Sequence, residues 1–504
     1  MNIKVKQNLI FGIIFIALSI HFKFYETINL PPQSTDLWRQ ADCYSIALNY
    51  YQHGFHFFKP QVHFLFEQNG YAAGEFPLIY FVSAILFKIF GVHFFLFKGL
   101  NLLIFFAGLY SLFKLSLRLT NDLVFSYILS VLYFCTPVIF FYANNFLSDV
   151  SALSFNIIGA FFFTVFLEEN SRKKLFVAAT FFAIAGLLKA SATIFLIAII
   201  CALFTEFFMT KTKSKYYNVI AANKFQLLFS LTGALSLIVS WYLYAIAFNK
   251  SNHTVFFGTK AMKGWPLWEN NIDGLKESIS YFKSIHVEIL SPVNVFLFVL
   301  AFLLIVALIK RVDRLFLKIW LFLFFGLSLF IAYFWKGFQD QQYYLVNLIM
   351  LPILTILLAY RIVLTFHLNE KKIKLGYTLL ICSTLFVIYK GGWRHQKLNE
   401  VYYNRNTESE LAKLGITKND KVISLEDGTP NGTLSMLNRS GWSSYGFNKN
   451  KQFTNDAFDS KIKMGASFLI LNDTSLLSNP TIKYYAQTAL GNYKGLYFYK
   501  LRNH

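Results

Sequence analysis

Charge is scarce in this chain of 504 residues. Asp, Glu, Lys and Arg together make up 14%, against 56% hydrophobic residues, whereas soluble chains carry roughly 25% charged residues. That shortage excludes a water-soluble globule, because so much apolar surface cannot be hidden in water. Cysteine is scarce as well. Of the four, Cys135, Cys201 and Cys382 lie in hydrophobic runs and Cys43 in a polar loop, so neither a disulfide framework nor a metal motif is implied. No internal repeat is evident. No small-residue cleavage site follows the apolar run after Lys4 and Lys6, which reads as an uncleaved first span with the N-terminus inside.

What is present in quantity is apolar sequence. Hydrophobic stretches recur from residue 9 to residue 389, and about 20 residues suffice to cross a hydrocarbon core of about 30 Å at 1.5 Å per residue. Candidate spans are 9–24, 93–117, 123–143, 150–167, 175–188, 190–209, 225–247, 292–309, 315–334, 343–360 and 375–389, about eleven crossings. The run Pro77 to Phe90 is too short and reads as an interfacial helix. The net charge of +21 falls in short clusters between spans, not along one stripe, which argues against nucleic acid. With Pro77 to Phe90 left out, Lys114/Arg118, Arg172/Lys173/Lys174, Lys211/Lys213/Lys215/Lys224, Lys310/Arg311/Arg314/Lys318 and Arg361/Lys371/Lys372/Lys374 all share the side of Lys4 and Lys6. That is the positive-inside signature. The 59 Phe and 29 Tyr suit lipid-facing positions but carry no functional reading.

The outer face then holds the loops 25–92 and 248–290, the segments Asn144 to Asp149 and Lys336 to Gln342, the turn at Lys189, and the tail. Residues 1–389 form a transmembrane domain and 390–504 a small soluble α/β domain on the outer face. In the tail, Lys421 to Glu426, Ser467 to Leu471 and Gly495 to Leu501 read as strands, and Asn455 to Met464 and Asn479 to Leu490 as helices. Asp427-Gly428-Thr429-Pro430-Asn431-Gly432 lacks the spacing and lysine of a phosphate-binding loop and reads as a turn.

Carboxylates at the membrane boundary point to chemistry: they can take a proton from an acceptor hydroxyl or bind a metal beside a phosphate leaving group. Asp36, Asp42 and Glu75 are the candidates in the first outer loop. The plain alternatives are that Asp36 caps its helix and Glu75 pairs with Arg39. For a departing phosphate the candidate cations are Arg39, Lys98, Lys189 and Lys336, each of which could equally snorkel to the interface. Asp149 opens a span, where the helix dipole favours a carboxylate in any case. Tyr343 and Tyr344 fit either a site or an aromatic belt. His253 is a lone loop histidine and reads as solvated, so no metal ligands are assigned, although a divalent metal at Glu75 is compatible with the chemistry.

Several of these residues recur in motifs. Trp38-Arg39-Gln40-Ala41-Asp42 is followed by Tyr51-Gln52-His53-Gly54. Glu75-Phe76-Pro77-Leu78 opens an amphipathic helix ending at Phe90-Gly91. Then come Asn145 to Asp149, Leu187-Leu188-Lys189 and Gln342-Tyr343-Tyr344. In order and placement the set resembles the polytopic GT-C glycosyltransferases related to protein O-mannosyltransferases and the lipid A aminoarabinose transferase, over most of residues 1–360. The resemblance implies a GT-C-like fold and an enzyme that takes a sugar from a polyprenyl-phosphate carrier to a glycan, lipid or protein acceptor, on the outer side of the cytoplasmic membrane. It implies Asp42 as the catalytic residue and Glu75 as the second acid. Two departures stand out: Phe76 replaces the lysine that follows that Glu in aminoarabinose transferase relatives, and Gln342 stands where a His is common. The competing class is a lipid-linked-oligosaccharide flippase or transporter, which would concentrate ionisable groups at mid-membrane in paired halves.

Overall fold

The computed structural model describes residues 3–33, 35–67, 69–209, 213–254, 266–283, 287–366, 370–391, 407–425, 427, 429–444 and 453–502. Every stretch expected to cross a membrane folds as helix. Six helices are long and apolar enough to do so: Phe94–Thr120, Asp149–Glu169, Ala190–Met209, Lys224–Ser251, Arg314–Tyr333 and Tyr344–Leu364. A seventh is the pair Leu123–Phe134 and Pro137–Ala143, bent by 70°. The break follows from Pro137, which cannot continue the preceding helix but is suited to open the next one. Val5–His21, Pro292–Ala307 and Lys374–Tyr389 are apolar but shorter. The chain is thus a multi-pass membrane protein.

Asp149–Glu169 is the central helix, and two close approaches fix its neighbours. A methyl group on Gly108 of Phe94–Thr120 would stand 2.5 Å from Ser154 Cβ, and one on Gly159 would stand 2.5 Å from the Phe182 ring. Without a hydrophobic drive between helices in lipid, this kind of backbone approach is what packs them. Buried amides then tie the outer ends together. Asn101 Nδ2 donates to the Asn145 carbonyl at 2.9 Å, and Asn156 Nδ2 donates to the Ala192 carbonyl at 2.9 Å.

Two helices outside the spans, Leu37–Gln52 and Leu78–Phe90, lie in the loop between Val5–His21 and Phe94–Thr120. The second has 13 residues, about 20 Å of helix, too short for a hydrocarbon core of about 30 Å. It buries Ile79, Tyr80, Ser83, Ala84 and Phe87 and leaves Ile85, Ile89 and Phe90 exposed, a one-sided helix.

The tail folds as a five-stranded sheet of β1 (Lys421–Leu425), β2 (Gly441–Ser443), β3 (Ala466–Leu471), β4 (Ala486–Tyr493) and β5 (Leu496–Leu501), in the order β2-β1-β3-β5-β4. The first three strands are parallel; β5 runs antiparallel to β3 and β4. The helix expected over Asn479 to Leu490 is corrected here: Pro480–Tyr485 is helical, but the chain then enters β4. The reason is the turn after it, where Lys494 and Gly495 take φ of 48° and 80° and so fold β4 back onto β5. The helix Glu370–Gly391 reaches the expected boundary of the tail; residues 392–406, Glu426, Gly428 and the loop segment 255–265 lie outside the described residues.

The tail is joined to the first outer loop by main-chain bonds. Gly441 N donates to the His63 carbonyl at 3.0 Å and Leu65 N to the Gly441 carbonyl at 2.9 Å, with a parallel bridge between Phe64 and Gly441. The loop thus adds itself to the free edge of β2.

Candidate active site

Arg39 and Asp42 stand one turn apart on Leu37–Gln52, so they share a helix face. Glu75 is brought to them by a clamped segment. Asn249 donates to the Ala73 carbonyl and accepts from Ala73 N, both at 2.8 Å; Trp241 Nε1 donates to the Gly74 carbonyl at 3.0 Å; Phe76 N donates to the Leu187 carbonyl at 2.9 Å. Lys189 follows Arg172–Leu188 in extended conformation, which ends the helix and turns the side chain toward the acids. Asp149 opens the central helix.

The result is a buried charge cluster. Arg39 Nη2 is hydrogen-bonded to Glu75, and Arg39 Nη1 is 3.9 Å from Asp42 Oδ2. Lys189 Nζ is 2.9 Å from Asp149 Oδ1 and 3.7 Å from Glu75 Oε1. Tyr343 and Tyr344 cover the lysine, their ring centres 4.4 and 5.3 Å from Nζ. Three carboxylates therefore face two cations, and burial makes that imbalance matter. Burial would raise Glu75, but Arg39 and Lys189 hold it below the ordinary carboxylate value. For Asp42 burial prevails over Arg39 and the Asn431 hydrogen bond, and its pKa rises to about 7.

Asp36 sits at the N-cap position of Leu37–Gln52 with φ 55°, but its side chain caps nothing. This corrects the capping expectation. Tyr142 Oη donates to Asp36 instead, and the Tyr142 ring meets Tyr343 edge-on with centroids 6.3 Å apart. Asp36 is half-buried, whereas Asp42 is 1% exposed. The expected pairing of Glu75 with Arg39 is present, and is deeply buried.

Two expected cations are not brought into the cluster. Lys98 donates to the Thr27 carbonyl at 3.0 Å and lies over the Phe146 ring. Lys336 is exposed at the start of the short helix Trp335–Asp340. Among the described residues no three His, Cys, Asp or Glu side chains gather as a metal site. His253 stands in a turn with φ 53°. Cys43 is buried, its Sγ 3.3 Å from Tyr80 Oη.

Residues that sequence reasoning passed over complete the site. Asn431 Nδ2 donates to Asp42 Oδ1 at 2.8 Å, and its Oδ1 accepts from Phe64 N at 2.7 Å. His63 N donates to Ser45 Oγ at 2.8 Å; His63 Nε2 faces Asn438 Oδ1 at 3.1 Å and so carries the ring proton, while Nδ1, faced by the Asn49 Nδ2 donor at 3.4 Å, accepts from the Ser45 hydroxyl at 2.6 Å. Burial lowers the His63 pKa to about 4 and keeps that ring neutral. Only the turn-forming composition of 427–432 marked Asn431, and nothing in it pointed to Asp42.

No family model matches this chain, and no curated protein matches it. Solved structures do. ArnT from Cupriavidus metallidurans bound to undecaprenyl phosphate superposes with a TM-score of 0.60 at 11% identity, covering 97% of each chain. An oligosaccharyltransferase from Archaeoglobus fulgidus gives 0.58 at 13%, covering 94% of this chain and 71% of that one. The arabinofuranosyltransferase AftD from Mycobacteria gives 0.58 at 13%, covering 97% of this chain and 41% of that one. At such identities the likeness is one of fold, and the fold is the GT-C-like one expected from the motifs.

Proposed function

We propose that the protein is a membrane glycosyltransferase that moves a sugar from a polyprenyl-phosphate carrier to an acceptor at the outer face of the cytoplasmic membrane, with its N-terminus inside and its tail outside. The observation that carries this reading is the buried cluster of Arg39, Glu75, Lys189 and Asp149 flanked by Asp36 and Asp42, at one end of the helical bundle. The fold adds support: it is shared with proteins whose solved structures hold undecaprenyl phosphate or dolichol phosphate.

In the proposed reaction an acceptor hydroxyl attacks the anomeric carbon. The bond from that carbon to the carrier phosphate oxygen breaks with both electrons leaving on the phosphate, and the hydroxyl proton passes to a carboxylate, inverting the anomeric centre. Asp42 suits the base because a pKa of about 7 lies near working pH. Arg39 and Lys189 are the cations for the departing phosphate, exchanging part of their pairing with Glu75 and Asp149 for it. Tyr343 and Tyr344 wall the lysine side. Glu75 keeps both cations in register and would orient the acceptor. A flippase is the weaker reading, because these ionisable groups gather at helix ends on one side and not at mid-membrane.

Access favours a second assignment within the same reaction. Asp36 is the more open carboxylate and is already oriented by Tyr142, so it could take the proton instead. Asp42→Asn and Asp36→Asn decide between them, assayed with radiolabelled polyprenyl-phosphate-linked sugars extracted from metabolically labelled cells. Loss of the base should cost about 10²- to 10⁴-fold in transfer at unchanged protein abundance. Full activity in Asp42→Asn removes it as the base; full activity in both sinks the catalytic reading.

A further inference from the structure

The turn taken for a mere connection between β1 and the next helix is built to present one amide. Asn431 occupies the N-cap position of Gly432–Leu437, where Asn ordinarily binds the first N–H groups of its own helix, yet it makes no such bond. Its neighbours do that work. Thr429 Oγ1 accepts from Gly432 N at 2.6 Å, and Asp427 Oδ2 accepts from Thr433 N at 2.8 Å. Asn431 is thereby freed to point out of the tail, and it is fully buried, at 0% exposure.

Both ends of that amide are spoken for across the chain. Phe64 N can only donate, so Asn431 Oδ1 must face it; Nδ2 is then compelled to face Asp42 Oδ1. The other carboxylate oxygen, Asp42 Oδ2, has no hydrogen bond among the described residues although it is buried. One oxygen is held and the other keeps its lone pairs unbonded, the arrangement wanted in a group that must receive a proton at a defined place.

We propose that Asn431 is a positioning residue for sugar transfer, holding the Asp42 carboxylate in orientation so that the soluble tail is a working part of the catalytic machinery. This rests on Asp42 being the base. The charged groups facing Asp42 are Arg39 from its own helix and Glu75 from the clamped segment, with neutral Asn431 facing it from the tail. Of these, the tail's contribution can be removed without touching the cluster of ion pairs.

The informative variant is Asn431→Asp. It retains an acceptor for Phe64 N, and so the docking of the tail, but replaces the donor to Asp42 with a second carboxylate oxygen. In full-length protein reconstituted in vesicles with the same labelled carrier-linked sugars, the acid limb of the rate profile should move up by at least about one pH unit. That is about a tenfold loss of transfer near pH 6, recovering toward pH 9. A purely structural role would lower transfer at every pH without moving the limb. Detachment of the tail would move it down, because water would reach Asp42. Should Asn431→Asp not accumulate, Asn431→Ala, smaller and without a donor, takes its place with the same expected direction, the tail staying docked through the main-chain bonds of Gly441 to His63 and Leu65. A stationary or downward limb, with Asp42→Asn inactive, overturns the role of Asn431 alone. An active Asp42→Asn overturns the base assignment beneath it.

Discussion

The two ends of the helical bundle both carry charge, and they use it differently. At the end holding the basic clusters, Arg118 pairs with Glu168 and with Glu169, side chains about one-third to one-half exposed. Asp122 caps Leu123–Phe134 and accepts from Tyr360 and Tyr377. Glu206 accepts from Ser214 N and from Lys318. Each of these acids meets donors in keeping with its charge, and the pairs tie neighbouring helix ends together. At the opposite end Arg39, Glu75, Lys189, Asp149 and Asp42 are all buried, the acids outnumber the bases, and Asp42 Oδ2 has no hydrogen bond among the described residues. A bundle that needed only fastening would not bury an unbalanced cluster, because desolvation of those charges is costly. The end with the basic clusters fastens the bundle, while the opposite end buries an excess of acids, where the proposed chemistry takes place.

The sharpest way to break that contrast is to remove one charge from each end. Glu75→Gln removes the carboxylate charge that pairs with Arg39 Nη2, and losing one partner of a buried pair costs about 3–5 kcal/mol. Arg118→Ala, at the part-exposed end, should cost about 1 kcal/mol or less. Unfolding in mixed micelles measures both, and equal costs would erase the distinction between the ends.

An effect of comparable size is expected from pH. Asp42 has a folded pKa of about 7 against about 4 unfolded. Between those values the folded protein holds a proton that the unfolded chain has released, so the contribution of Asp42 falls as pH rises from about 4 to about 7 and levels off above, while buried His63, lowered to about 4, contributes in the opposite sense. Glu75, held below its ordinary value, acts in the opposite sense and only at pH below about 4.5. In thermal unfolding over this range the wild type should lose stability relative to Asp42→Asn, because the shifts of Asp149, Asp427 and His63 are common to both. A decline of equal size in the variant would assign it to another group.

The least demanding test concerns which end is outside. Lys59→Cys, exposed in the first outer loop, should react with an impermeant maleimide in intact spheroplasts, and Lys173→Cys only after lysis. The reverse pattern inverts the proposed orientation. Native Cys43, though in the outer loop, is sealed against Tyr80 and should stay unlabelled until the protein unfolds.

How much of the site could be read in advance follows from the range of the interactions involved. Arg39 and Asp42, three apart on one helix, are legible as neighbours from helical spacing alone. Glu75, Asp149 and Lys189 are legible as residents of one membrane face, because charge bias orients every loop. Their convergence is a different matter. It depends on Gly108 and Gly159 letting helices approach and on Asn249 and Trp241 clamping the segment before Glu75, none of which leaves a periodic signal. Lys98 and Lys336 illustrate the other side: the same face of the membrane, the same residue type, and no place in the cluster.

The sequence by itself determined that this chain lives in a membrane, where its helices fall, and which loops hold the acids, since these depend on local hydropathy and on the count of Lys and Arg. Tertiary structure alone decided which acids meet which cations, that Asp36 turns from its helix to Tyr142, and that an asparagine 389 positions away reaches Asp42. Such contacts are made by packing between distant segments, and side-chain hydrogen bonds over that separation have no period for a sequence to display.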